Sequence, residues 1–69
     1  MQIEFTKHAR RRIIDRKIEL VWIYETLKFP DNMQKVGNEY IITRKLNGKT
    51  LEIVIMREKN INIITLYWL

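Results

Sequence analysis

The sequence contains no cysteine and only one histidine. Disulfide cross-links are excluded, and so is the usual Cys/His structural zinc site, so no metal and no cofactor is expected. One proline and two glycines in 69 residues leave no room for a flexible linker or a low-complexity tail. No run approaches the roughly 20 apolar residues that a membrane-spanning helix needs. The opening MQIEFTKHAR holds no apolar stretch of the kind that begins a secretory signal. The expectation is one domain over residues 1–69, cytoplasmic and without membrane association. A chain this short buries a thin core. Its stability must come from dense packing of its abundant isoleucines or from a partner.

Net charge is also missing from most of the chain. There are 13 basic and 8 acidic residues, a formal charge of +5. Residues 7–17 hold six of the basic ones (Lys7, Arg10, Arg11, Arg12, Arg16 and Lys17) against Asp15 alone. The remainder is neutral, with seven of each sign. A cluster this localised concentrates potential and favours a polyanionic partner. The competing reading is a solvated helix face that keeps the protein soluble.

Hydrophobic periodicity outlines the elements. Residues 2–5 alternate and read as a short strand or extended lead-in. Thr6 is a good N-cap for a helix from about Lys7 to Arg16. Lys17–Ile18 reads as a break, and a second helix should run from about Glu19 to Lys28, closed by Phe29-Pro30-Asp31. Leu20, Ile23, Tyr24 and Leu27 recur at helical spacing and form its expected core face, with Trp22 and Thr26 pointing away. The rest reads as three strands: Gln34–Leu46, Lys49–Glu58 and Ile61–Leu69. Asn47-Gly48 is a strong hairpin signal, because both residues accept positive φ. Lys59-Asn60 is a weaker one.

Two-residue turns fix the register by arithmetic. Ile42 then faces Ile53, Tyr40 faces Ile55, Ile55 faces Ile64 and Leu51 faces Trp68. One sheet face gathers these apolar residues with Leu46 and Leu66 and carries Arg44 and Arg57 toward its margins. The opposite face places Ile41, Val54, Met56 and Ile63 together. Two helices cannot cover both faces, so this patch and an exposed Trp22 are candidate contacts for a protein partner or a second copy of the chain. The fold class expected is α+β: two N-terminal helices on one face of a small antiparallel sheet, in the order β-α-α-β-β-β.

The basic helix has internal order. At 100° per residue, His8, Arg11, Arg12, Asp15 and Arg16 share one broad face. A histidine that titrates near neutrality beside guanidinium groups suits phosphodiester chemistry. It can move a proton while arginines hold the phosphate. The competing reading makes His8 a packing residue, with Asp15 neutralising Arg11 and Arg12 at helical spacing. Arg44 and Arg57, on the core-facing side of the sheet, must reach the rim, pair with an acid or line a cleft. A cleft bordered by His8, Arg12, Arg44 and Arg57 would form a catalytic anion site, with Lys7, Arg10, Arg11 and Arg16 as binding positions for a polyanion. Tyr67, opposite Glu52, could assist proton transfer or be an ordinary cross-strand partner. There is no glycine-rich phosphate loop and no nucleophile elbow.

The run FTKHARRRIIDRKI, the helix ending in FP, the segment RKLNGKTLEIVI and the closing INIITLYWL resemble the prokaryotic family known as domain of unknown function 4258. His8, Arg12, Arg16 and Ile18 match its H-x-x-x-R-x-x-x-R-x-I pattern, and Pro30 and Gly48 match its middle. Lys17 departs from that pattern, where many members have glycine. The family is similar in size and element order to RelE-like and BrnT-like toxins of toxin–antitoxin pairs. That resemblance implies a RelE-like fold, metal-independent RNA cleavage through the 2′-hydroxyl and an antitoxin partner. The alternative is a non-enzymatic nucleic-acid- or protein-binding module that uses helix 7–17. Fold likeness does not decide between them.

Overall fold

A computed structural model describes residues 2–69. The elements are β1 (Ile3–Phe5), α1 (Lys7–Asp15), α2 (Leu20–Lys28), β2 (Asn32–Val36), β3 (Glu39–Leu46), β4 (Lys49–Arg57) and β5 (Ile61–Trp68). The five strands form one sheet in the order β1-β5-β4-β3-β2. β1 lies parallel to β5 and the other pairings are antiparallel. The architecture is α+β, as expected, but the sheet is mixed rather than antiparallel. β1 enters beside β5 in the same direction, and α1 continues that direction over β5, from Thr6 at Ile63 and Ile64 to Arg16 beside Trp68.

Thr6 begins α1. Its extended backbone ends β1, and its hydroxyl accepts the Ala9 N–H at 3.1 Å. The same hydroxyl donates to the Ile64 carbonyl at 2.8 Å, and the Thr6 N–H donates to the Ile63 carbonyl at 3.0 Å. The helix cap is thus fastened directly to β5. α1 ends in a left-handed turn. Lys17 takes φ +51°, its N–H reaches the Ile14 carbonyl, and the Ile18 N–H reaches the Ile13 carbonyl. This is a Schellman closure, with Lys17 at the position where glycine is most at ease. Ile18 is then carried into the core.

The expected strand Gln34–Leu46 is a hairpin instead. Gly37, at φ +63°, and Asn38 form a two-residue turn between β2 and β3. Glycine at the first central position favours this turn, and the Val36-Gly37-Asn38-Glu39 stretch carried that signal. Asn47 and Gly48 take φ +50° and +85°, the signs of a type I′ turn, and the β3–β4 register is the expected one from Tyr40↔Ile55 to Leu46↔Lys49.

The β4–β5 connection departs from expectation and then returns to it. Arg57 pairs with Ile61, so the loop holds three residues, Glu58 to Asn60, rather than two. One extra loop residue would send every later β5 side chain to the wrong face. A bulge between Ile63 and Thr65 removes that error, and Val54↔Thr65, Ile53↔Leu66 and Leu51↔Trp68 pair as expected. Between loop and bulge the faces are exchanged. Ile63 pairs with Ile55 and is fully buried, and Ile64 is the half-buried extra residue. Ile63 is therefore a core residue and not part of a partner-binding patch.

The core comprises Ala9, Ile18, Ile23, Ile42, Leu51, Ile53, Ile55, Ile63 and Leu66, between the sheet and both helices. α2 is rotated from its expected setting. Ile23 and Thr26 are fully buried, whereas Leu20 is 50% and Tyr24 46% exposed. Burying Thr26 is inexpensive because its hydroxyl donates to the Trp22 carbonyl at 2.8 Å. Burying Tyr24 would require a second partner for its phenol. The rotation turns Trp22 inward, where it is half-buried and meets Trp68 edge to face at 5.5 Å. Trp22 is thus a packing residue and not the exposed partner contact expected from the helical wheel.

Candidate nucleic-acid interface

α1 presents its charge to solvent. Lys7, His8, Arg10, Arg11, Asp15, Arg16 and Lys17 are exposed, and Arg12 is half-buried. Only Ala9 on this helix is fully buried, so a small residue marks the line of contact with β5. The first turn carries no acid to complement the helix dipole. Lys7 and Arg10 stand instead near its positive end, an arrangement that costs a few tenths of a kcal/mol and raises the local potential.

Among the described residues the ion pairs are Arg44–Glu25 and Arg44–Asp31. No α1 cation takes part in one, so Asp15 does not neutralise Arg11 or Arg12 by direct pairing. The one side-chain hydrogen bond along this stripe runs from Arg12 Nε to His8 Nε2 at 3.4 Å. It lays the Arg12 guanidinium against the His8 imidazole one turn away.

His8, Arg11, Arg12, Asp15 and Arg16 line a shallow depression of about 320 Å³. Arg12 and Arg16 also overhang the outer edge of β5, where they line a groove of about 300 Å³ with Tyr67 and Trp68. That edge is open because β1 pairs only with Ile61–Ile63. Arg16 and Trp68 then border a third depression of about 400 Å³, reaching Lys17, Trp22, Asn47 and Lys49. Shared lining residues join the three into one track. Cations run along it, and tryptophan lies at its far end.

The other two expected catalytic arginines are elsewhere. The Arg44 Nε donates to Glu25 at 3.2 Å, and its guanidinium also donates to the Phe29 carbonyl at 2.6 Å. Asp31 lies at 3.7 Å and itself accepts the Lys45 N–H. Arg44 thus ties the C-terminal end of α2 to β3. Arg57 is exposed at the opposite end of the sheet, in a depression shared with Lys35, Asn38, Tyr40, Met56 and Glu58. The His8–Arg12–Arg44–Arg57 cleft does not form. Arg44 is held by α2, and Arg57 lies in a separate depression at the loop end of β4.

The Tyr67 hydroxyl donates to the Glu52 carboxylate. That hydrogen bond, then burial, then the nearby negative charge raise the phenol pKa above its ordinary value. Tyr67 therefore keeps its proton and is a donor rather than a base. On the uncovered sheet face Ile41 and Val54 are cross-strand partners, with Met56 one row away, and all three are half-buried. Sequence reasoning placed Trp68 in the core and overlooked Lys49 and Asn47. The register pairs Leu51↔Trp68 and Leu46↔Lys49 carried the signal, since they put these residues at one end of the sheet.

Residues 5–68 match the family described as Domain of unknown function (DUF4258). The chain belongs to this family. The match takes in the His8–Arg12–Arg16 stripe and both tryptophans. No curated protein and no solved structure matches the chain. Among the described residues no three of His, Cys, Asp or Glu gather where they could hold a metal ion, and no helix is long and apolar enough to cross a membrane.

Proposed function

We propose that this member of the DUF4258 family binds RNA along α1 and cleaves it without a metal, as a RelE-like toxin ribonuclease of a cytoplasmic toxin–antitoxin pair. The observation that supports this reading is the set of uncompensated α1 cations around His8, whose Nε2 accepts a hydrogen bond from Arg12. Surface cations without internal partners are free to take phosphates and release their counterions.

The chemistry follows from the His8–Arg12 bond. In the free protein the Nε2 lone pair is engaged by Arg12. A phosphate that draws the Arg12 guanidinium to itself releases that lone pair beside the bound nucleotide. His8 then takes the proton of the 2′-hydroxyl. The 2′-oxygen attacks the adjacent phosphorus, the bond from phosphorus to the 5′-oxygen breaks, and water protonates the leaving oxygen. The products are a 2′,3′-cyclic phosphate and a free 5′-hydroxyl. Arg12 and Arg16 stabilise the charge that develops on the phosphoryl oxygens. Lys7, Arg10 and Arg11 hold flanking phosphates. The uncovered sheet face at Ile41, Val54 and Met56 would take an antitoxin or a second copy of the chain.

A second reading is a binding module without turnover. It draws on the position of Arg44 and Arg57 away from His8, which leaves the charge beside the histidine to α1 alone. Incubation of purified protein with end-labelled single-stranded RNA in excess chelator separates the two. Cyclic-phosphate products that disappear in His8→Ala and Arg12→Ala support cleavage. Salt-sensitive binding without product supports the module, and absence of both results refutes RNA as the ligand.

A further inference from the structure

We propose that the depression at the end of α1, framed by Trp22, Trp68 and the Asn47-Gly48 turn, is a subsite that stacks one base of single-stranded RNA. This inference rests on the reading of α1 as an RNA-binding face and adds a position at which the base, rather than the phosphate, is engaged.

Four observations carry it. The depression, about 400 Å³, adjoins the α1 track through Arg16, so a strand following the phosphates on α1 reaches it without reversing. Its floor is aromatic. Trp22 meets Trp68 edge to face, with ring planes at 69°, so the edge of one indole rests on one face of the other and the two rings are not stacked. Its rim is cationic, with Arg16, Lys17 and Lys49 and no acid among the lining residues. The Lys49 ammonium rests over the Trp68 ring, 5.7 Å from its centre. A cation on a ring face marks that face as open to a flat, electron-poor or cationic group. A base would displace this flexible side chain and leave its ammonium beside the sugar–phosphate.

The chemistry favours a nucleotide over a simple anion. Phosphate alone would find richer charge along α1 and has no use for two indoles. Aromatic faces beside cations are how sequence-tolerant single-strand sites are built, because every base offers a π face. Asn47, held by its turn at φ +50°, adds an amide that can reach a base edge.

The two tryptophans are the only ones in the chain, so tryptophan fluorescence, excited selectively over the tyrosines, reports on this place alone. The experiment titrates the full chain, and Trp22→Phe in which Trp68 is the sole tryptophan, with a short oligouridylate carrying non-cleavable 2′-O-methyl sugars. An abasic oligomer of equal length and charge is the comparison. Expected are quenching of Trp68 by the oligouridylate and binding of the abasic oligomer weaker by at least about fivefold. Lys49→Ala, at an exposed position, should weaken both oligomers while leaving quenching by the oligouridylate at saturation. Equal affinity for both oligomers without quenching overturns the subsite and leaves RNA binding by α1 standing. Failure of both oligomers to bind overturns the subsite together with the reading on which it rests.

Discussion

Replacement of Thr6 should do more than remove a helix cap. Its side chain makes two bonds in opposite senses, accepting from Ala9 N–H and donating to the Ile64 carbonyl at the β5 bulge. Thr6→Ala removes both. Loss of the cap costs about 1 kcal/mol. The Ile64 carbonyl loses its donor as well, worth about 0.5–1 kcal/mol at a site water can partly reach. The expected destabilisation is therefore about 1.5–2 kcal/mol, a fall in melting temperature of roughly 6–16 °C for a domain of this size. Two further variants divide that total. Thr6→Ser keeps both bonds and should stay within about 0.5 kcal/mol of the parent. Thr6→Asp keeps the acceptor but has no proton for Ile64, so it should recover only the cap. Urea denaturation followed by far-ultraviolet circular dichroism measures all three. Thr6→Ala within 0.5 kcal/mol (roughly the scatter of a neutral surface substitution) would refute the proposed link between cap and bulge. Thr6→Asp indistinguishable from Thr6→Ser would remove the bulge bond from the account.

Other perturbations test separate parts of the molecule. Lys17→Gly relieves a left-handed backbone, so it should stabilise the fold by about 0.5–1 kcal/mol while lowering RNA affinity through the lost charge, read by denaturation and by filter binding. Arg44→Lys cannot reproduce the contacts to Glu25 and the Phe29 carbonyl. It should destabilise by about 1–2 kcal/mol with RNA affinity unchanged after correction for the folded fraction, and a selective loss of binding would return Arg44 to the site. The raised Tyr67 pKa means that its contribution to stability is complete below the phenol's unfolded pKa and is lost as pH rises through the higher folded value. Urea midpoints across the alkaline range should therefore fall more steeply for the parent than for Tyr67→Phe, and parallel curves would contradict the assignment. His8→Gln, which keeps a neutral acceptor for Arg12, should retain RNA binding and abolish cleavage; continued cleavage would dismiss His8 as the base.

Much of the site was legible because it is local. His8, Arg12 and Arg16 recur at intervals of four on one short helix, and helical geometry alone aligns them. The Arg44 contacts were not legible, since Glu25, Phe29 and Asp31 approach it only after α2 has packed. Arg57 shares a sheet face with Arg44 by register, yet strand length carries it to the opposite end. Trp22 was misread because the apolar count of α2 favoured Leu20 and Tyr24. Hydroxyl chemistry decided otherwise, with Thr26 satisfying itself inside the core and the Tyr24 phenol left near water.

The sequence by itself determined the basic stripe, the Thr6 cap, the Asn47-Gly48 hairpin and the β3–β4 register. Each follows from interactions between residues close in the chain or mirrored about one turn. Only the tertiary structure decided the parallel seat of β1, the rotation of α2 and the bulge that moves Ile63 into the core. A single-residue slip in β5 costs nothing locally and exchanges a whole face, so it is resolved only when the two sides of the sheet acquire different surroundings. The same docking set α1 along the open edge of β5. That placement joined a helix of cations to Tyr67, Trp68 and Lys49, and turned a local cluster of charge into a continuous track.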